Sequence, residues 1–354
     1  MTAQPKIENW LHRQWDHFGL FAFALSPLSL LFYGISRSRQ HRTTPAHLPV
    51  PVVVVGNIYV GGTGKTPITI TIVRELIKRG WHPGIISRGF GRKADAVKLV
   101  KPTSLASEVG DEPLLIAQET RAPVAVGRRR YEAGLALLAA HPEIDVIVSD
   151  DGLQHHALAR DFEIAVVGTR GLGNGLVLPA GPLREPPSRL DTVDAIVLNS
   201  PSEVIVKSRT PRYAASSTFG RCRQLATGAT ASIDELAARI SREGLHALCA
   251  AGIAAPGRFF AMVRAHGIES LTLELGDHFD FATNPFAART EELIFITSKD
   301  AVKCATHPEL SMDSRIWVVE LDMHLEPYLI DSIEEALHTF RNKASASAAN
   351  PVPA

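Results

Sequence analysis

Three hydrophobic patterns divide the chain. The first is an uncharged run, FGLFAFALSPLSLLFYGI, over Phe18–Ile35. At about 18 residues it reaches the lower length limit for a helix that crosses a bilayer. Upstream, Leu11, Trp15, Phe18 and Ala22 recur at helical spacing, while Glu8, Arg13 and Asp16 fall on other faces. Pro27 sits mid-run, removes one backbone donor and kinks a helix there. The basic cluster Arg37-Ser38-Arg39-Gln40-His41-Arg42 follows and suits anionic headgroups. Basic residues in place of a small-residue cleavage site argue against a cleaved signal peptide. Membrane attachment is favoured. A full span, a kinked helix dipping into one leaflet, and a core helix packed on the domain all stay open.

In the second pattern, short β-branched runs alternate with helical ones. Pro51–Gly56 and Ile144–Ser149 read as buried parallel strands, and the alternation continues through Val197. The third begins after a change near residues 202–230, where Arg212 to Cys222 reads as an extended linker. Beyond it, Leu245–Ala250, a helix after Pro256, Ser270–Leu275, Leu293–Thr297 and Arg315–Glu320 repeat the α/β order. The predicted organisation is a membrane-associating segment over 1–42, an α/β domain over 43–225, a smaller α/β domain over 226–343 and a disordered tail over 344–354. The fold class is α/β: a P-loop NTPase-like doubly wound domain, a smaller second α/β domain and an N-terminal hydrophobic helix.

Composition narrows the classes. The 354 residues carry 37 Lys+Arg against 37 Asp+Glu, so nothing in the overall charge favours coating a nucleic acid. A hydrophobic fraction of 45% supplies a sizeable core and excludes whole-chain disorder. Cys222, Cys249 and Cys304 form no CxxC pair, which argues against a zinc site and for buried thiols in a reducing compartment.

The candidate chemistry starts where the Pro51–Gly56 strand ends. Gly61-Gly62-Thr63-Gly64-Lys65-Thr66 lies between that strand and a helical stretch, so its backbone N–H groups and the helix N-terminus aim at phosphate. Lys65 would reach the β- and γ-phosphates and the Thr66 hydroxyl would bind Mg²⁺. The usual first glycine of the pattern is Tyr59 here. Asp150 and Asp151 follow the second buried strand, where acidic residues hold Mg²⁺ directly or through water. The guanine-reading [NT]KxD motif is absent, since Thr297-Ser298-Lys299-Asp300 has its lysine displaced by one position; ATP is therefore favoured. Asp111, in Gly110-Asp111-Glu112-Pro113, reads either as a helix N-cap or as a base for an attacking hydroxyl. Gln154, His155 and His156 follow the acidic turn, and Arg184 lies in the Pro/Gly-rich loop Leu178–Pro186. Arg88, Arg92, Lys93, Arg128, Arg129 and Arg130 add positive charge on loops or helix starts.

Taken together, these stretches closely resemble the tetraacyldisaccharide 4′-kinase family, the lipid A 4′-kinases of Gram-negative bacteria. The resemblance is carried by VGNIYVGGTGKTP (Val55–Pro67), SRGFGRK (Ser87–Lys93), GDEP (Gly110–Pro113), RRYEAG (Arg129–Gly134), DDGLQH (Asp150–His155) and LPAGPLREP (Leu178–Pro186), then DHFDF (Asp277–Phe281) and TSKDAVK (Thr297–Lys303). It runs from the N-terminal segment to about residue 340. It implies transfer of the ATP γ-phosphate to the 4′-hydroxyl of tetraacyldisaccharide 1-phosphate, giving lipid IVA, at the cytoplasmic face of the bacterial inner membrane. By motif, Asp111 looks like the catalytic base and His278 like its partner across a cleft, which reverses the capping reading. Lys65, Thr66, Asp150 and Asp151 look like the ATP–Mg²⁺ set, with Arg130, His155, Arg184 and Glu185 lining the site. The implied partners are the glycolipid substrate and inner-membrane lipids, with no nucleic acid and no protein partner. Two other readings remain at this point. One is a membrane-associated P-loop ATPase that acts as a switch; the other is a soluble P-loop kinase whose N-terminal helix completes the core.

Overall fold

The computed structural model describes residues 10–349, apart from 12, 93–94 and 200–203. Lys93 therefore lies outside the described residues. The first half of the chain contributes β1 (Val52–Gly56), β2 (Pro83–Ser87), β3 (Lys98–Leu99), β4 (Val124–Val126), β5 (Val146–Asp150), β6 (Phe162–Gly168) and β7 (Ala195–Asn199). The second contributes β8 (Arg212–Gln224), β9 (Thr230–Ser232), β10 (Ala247–Ala251), β11 (Ser270–Glu274), β12 (Leu293–Thr297) and β13 (Ile316–Leu325). All belong to one sheet in the order β11-β10-β12-β13-β8-β7-β6-β1-β5-β2-β4-β3, with β9 on β8.

The continuous Val run of β1 is buried on both faces because β1 lies between β5 and β6, parallel to each. The register sets Val55 beside Asp150, so the turn after β1 and the acidic turn after β5 open at the same edge. The helix Lys65–Lys78 buries Ile68, Thr69, Ile72, Val73 and Leu76, a stripe at helical spacing that packs over Val53 and Val55. Ligands in open α/β sheets bind at this carboxyl edge.

β8 corrects the linker expectation. It is a 13-residue strand whose beginning pairs parallel with β7 and whose remainder pairs antiparallel with β13. Backbone pairing on both sides makes it the seam that joins the two halves of the sheet. The expected second unit, 226–343, has cores around Phe259 and Phe295 and around Phe281 and Ile296, but its last helix leaves it. The C-terminal helix Pro327–Ala349 returns to the first half, where Leu329, Ile330, Ile333 and Leu337 join the core of Val73, Leu76 and Trp81. That helix continues through Ala349 into the expected tail, as an Ala-rich segment favours; residues 350–354 lie outside the described residues.

The N-terminal helix Leu20–Arg42 does not complete the core. Only Ala22 and Ser29 are buried on it, while Leu20, Phe23, Leu30 and Leu31 are each more than two-thirds or nearly two-thirds exposed. It touches the domain through Ser29, which donates to Val177 O at 2.9 Å and accepts from Ala180 N at 2.9 Å. Among the described helices it is the one long and apolar enough to cross a membrane. Burial accounts for the cysteines: all three are free, and desolvation pushes Cys222 up to about 12 and Cys249 to about 11, which makes them inert thiols.

Candidate active site

The glycine turn after β1 is shaped by what lies behind it. Gly64 ends the turn in the left-handed region at φ 83°, where a Cβ would stand 2.0 Å from Asn199 Nδ2. Asn199 is buried at the end of β7 and donates to Thr63 O at 2.9 Å, which locks the turn to the sheet. Lys65 opens the following helix. Its Nζ donates to Asn57 Oδ1 at 3.2 Å and lies 3.5 Å from Asp151 Oδ1.

Across the edge, Asp150 is buried and its Oδ1 accepts the Thr69 hydroxyl at 3.1 Å. Burial, with Glu112 and Asp151 nearby, pushes its carboxyl well above the usual range. Asp151, at φ 47°, turns its carboxylate outward. Burial opposes its ionisation, but Lys65 and Arg184 outweigh this and hold it low. Arg184 Nη1 lies 3.2 and 3.3 Å from the two Asp151 oxygens. The Pro/Gly-rich loop delivers Arg184 by pairing with the segment before the glycine turn, through Arg184 N to Ile58 O at 2.7 Å and Val60 N to Pro182 O at 2.8 Å.

The second half supplies the opposite wall. His278 stands at φ 57° in a loop anchored by Phe281, which is buried against Phe279 and Phe286. Its Nδ1 lies 3.0 Å from Asp111 Oδ2, across 167 positions of sequence. Lys299 reaches the same place, 3.5 Å from His278 Nε2 and 3.1 Å from Glu112 Oε1. Burial raises the Asp111 carboxyl, yet the His278 hydrogen bond and the charges of Lys299, His278 and Lys303 outweigh it and hold Asp111 at about 2. The same hydrogen bond raises His278 above its ordinary value.

These groups surround one cleft with a volume of about 2110 Å³, lined by Gly61–Pro67, Asp150, Asp151, Arg184, His278 and Lys299 among others. The cleft extends to Arg39 at the basic end of the N-terminal helix and to Leu11, so the glycine turn and the apolar helix share one opening. His155 lines it as a neutral imidazole, since burial and then Arg130 lower it to about 4.

Two expectations change, and Arg130 has a second role. Asp111 is not a cap: Gly110 is the N-cap of Asp111–Thr120, and Asp111 is the first helical residue with its carboxylate turned to His278. Arg130 is among the residues lining the cleft, and although largely buried it also donates to the carbonyls of Gly127, Asp150 and Asp151, so its guanidinium braces the acidic turn. Glu185 is not among the residues lining the cleft; it sits behind Gln154, which donates to it at 2.7 Å, and beside Arg189 at 3.3 Å. Asp111 itself, 6% exposed, lies one layer beneath a wall made by Glu112, His278 and Lys299.

Several groups at the site escaped the sequence reading. Asn57 and Asn199, the two amides that fix the glycine turn, carry no motif signal beyond standing at strand ends. Arg258 donates to Asn199 Oδ1 at 3.2 Å from the second half, following a Pro-Gly that only the fold brings near the turn. Lys303 did have a signal, its i,i+4 spacing from Lys299 in TSKDAVK.

A lysine-bearing glycine turn, an acidic turn on the adjacent strand and a carboxylate–imidazole pair built into the opposite wall are the parts of a P-loop phosphotransferase. Comparison with known proteins makes this specific. A sequence model for LpxK, tetraacyldisaccharide-1-P 4′-kinase, matches residues 21–338. The tetraacyldisaccharide 4′-kinase of Janthinobacterium sp. (strain Marseille) is 46% identical over 345 residues, covering 94% of this chain and 97% of its own. That of Dechloromonas aromatica (strain RCB) is 44% identical over 335 residues, with 94% and 98% covered. A crystal structure of the "apo" form of LpxK from Aquifex aeolicus in complex with ATP is similar at a TM-score of 0.74 and 26% identity, covering 90% of this chain and 100% of that one. The chain belongs to the tetraacyldisaccharide-1-P 4′-kinase family.

Proposed function

We propose that this kinase transfers the γ-phosphate of ATP to the 4′-hydroxyl of tetraacyldisaccharide 1-phosphate, with Asp111 and His278 receiving the hydroxyl proton. The observation that carries this reading is the Asp111–His278 pair at 3.0 Å, whose imidazole lines the same cleft as the glycine turn. A hydrolytic switch needs the turn and the acidic residues; a kinase also needs a base for an alcohol. The acceptor oxygen bonds to the γ-phosphorus as the bond to the β–γ bridging oxygen breaks, ADP leaves, and the proton passes to the pair. Positioning and charge neutralisation are most of what this reaction asks of a protein. Gly61–Thr66 and Lys65 cradle the phosphates, and Arg184 adds a planar fork beside them. His278 fixes Asp111 by donating from Nδ1.

The donor set suits Mg²⁺. Asp150 is a buried carboxyl raised by desolvation, the condition in which a neighbouring cation restores its charge. Among the described residues no cluster of three His, Cys, Asp or Glu forms a metal cage, and Mg²⁺ uses one or two carboxylates plus substrate phosphates instead. Thr66, Asp150 and Asp151 would hold it, and when bound it neutralises charge on the phosphates.

Placement at the cytoplasmic face of the inner membrane fits a cleft that runs from the glycine turn to the basic end of an exposed apolar helix. A lipid with four acyl chains stays in the bilayer, so its kinase must meet it there. In mixed micelles with γ-labelled ATP, Mg²⁺ and tetraacyldisaccharide 1-phosphate, the expected product is a labelled bisphosphorylated lipid. Phosphate release without labelled lipid would assign the switch ATPase instead.

The membrane helix yields a separate prediction. Leu30 and Leu31 are 72% and 60% exposed, so replacing both with Glu leaves the domain intact. Each charge in an apolar span costs roughly 2.5–3.5 kcal/mol at its centre. The double variant should stop co-floating with anionic vesicles while its melting temperature stays that of the wild type; retained flotation would assign attachment to another surface.

A further inference from the structure

Lys303 is a buried cation beneath the cleft wall. Its side chain is 8% exposed, and its Nζ makes no hydrogen bond among the described residues. Asp111 Oδ2 lies 3.8 Å away, Asp300 Oδ1 4.0 Å away and the Phe281 ring centroid 5.6 Å away. An ammonium buried without hydrogen bonds is costly, and what offsets the cost here is attraction to those two carboxylates.

Asp300 has its own partners. It accepts Gly252 N–H at 3.1 and 3.2 Å and the Thr297 hydroxyl at 2.7 Å. Asp111 Oδ1 accepts Glu112 N–H at 3.0 Å, and its Oδ2 faces His278. Lys299, one helical turn before Lys303, lines the cleft and is engaged with Glu112 and, at 3.7 Å, with Asp277. The two lysines thus bracket Asp111, Lys299 from the cleft and Lys303 from the core. The core-side charge is the one with no hydrogen bond to divide its attention.

We propose that Lys303 is a positioning residue for the transfer: its buried ammonium holds the Asp111 carboxylate ionised and turned toward His278. This rests on Asp111 being the base. The charged and titratable groups facing the pair are Glu112 on its own helix, Asp277 on the His278 loop, and Lys299, Asp300 and Lys303 on the helix Ser298–Cys304. Removing one positive charge from this set makes the Asp111–His278 pair bind a proton more tightly. The base is then lost at a higher pH.

The test uses the full chain in mixed micelles and follows labelled lipid across pH for Lys303→Met, Lys303→Gln, Lys303→Arg and Asp111→Asn. The two uncharged variants should keep the KM for ATP and lose about 10-fold in kcat at neutral pH, with the acid limb of kcat/KM displaced upward by about one pH unit. Arginine should return the limb to its wild-type position. Folded uncharged variants whose kcat and acid limb match the wild type, beside an inactive Asp111→Asn, would overturn the proposal and leave the base intact. Full activity in Asp111→Asn removes the base reading and the proposal with it. Unfolding of all three Lys303 variants, arginine included, assigns the ammonium to core stability and also overturns the proposal.

Discussion

Asp111→Asn should lower kcat by about 10³-fold, within the range for loss of a general base, while ATP still binds. The amide preserves shape and the contact to Glu112 N–H but cannot take up a proton. Nucleotide binding survives because Asp111 lies under the wall opposite the glycine turn and is not among the residues lining the cleft. The substitution also has a cost in stability. With the carboxyl held at about 2 against an ordinary 3.8, its ionised form contributes about 2 kcal/mol to folding. A depressed carboxyl contributes fully above its unfolded value and loses that contribution as pH falls through its folded one. The wild type should therefore be more stable than Asp111→Asn at pH 7, and the gap should close between about pH 4 and pH 2. Labelled-lipid turnover, nucleotide titration and thermal melts across pH check the three parts. Near-wild-type turnover would remove Asp111 from the chemistry.

Lys65→Met should have the second large effect, with the opposite pattern. Methionine keeps most of the length and the apolar stem but removes the charge on the β- and γ-phosphates. Losing one fixed cation or donor at a transferring group costs about 10²–10³ in rate, and ground-state phosphate contacts are lost as well. We expect kcat to fall by about that factor and the KM for ATP to rise. Stability should change little, because Asp151 keeps Arg184 at 3.2 Å when Lys65 is gone, while Asn57 still holds Thr63 at 3.1 Å. A variant with normal turnover but weakened ATP binding would confine Lys65 to the ground state. One that melts far below the wild type would make the lysine part of the scaffold.

Which parts of this site could be read from the chain depends on how far apart their partners lie. The glycine turn, Lys65 and Thr66 form a strand–turn–helix unit within about one supersecondary element, so local sequence dictates it. The acidic turn after β5 was legible only beside Lys65 and Thr66, since a strand that ends in Asp-Asp-Gly is by itself usually an ordinary turn. The apolar helix was legible by length and absence of charge; its exposure was not, because burial depends on whether another surface covers it.

Tertiary structure decided the rest. Asp111 as a first-turn residue is a cap by local rules, and only a loop 167 positions away turns its carboxylate into a member of a pair. Arg130 and Arg184 look alike in sequence and both line the cleft, yet the first is held by backbone carbonyls of the acidic turn and the second by the Asp151 carboxylate. β8 has the alternation of an extended ribbon whether or not strands pair with it; its role as the seam comes from β7 and β13 on its two sides. Sequence by itself determined the phosphate-binding unit, the α/β alternation and the uncharged N-terminal run, because short-range backbone geometry and hydrophobic periodicity are local properties. Only the fold decided which carboxylate meets an imidazole, what holds each arginine and what Lys303 faces, because the electrostatics of a buried group are set by neighbours that the chain brings from far away.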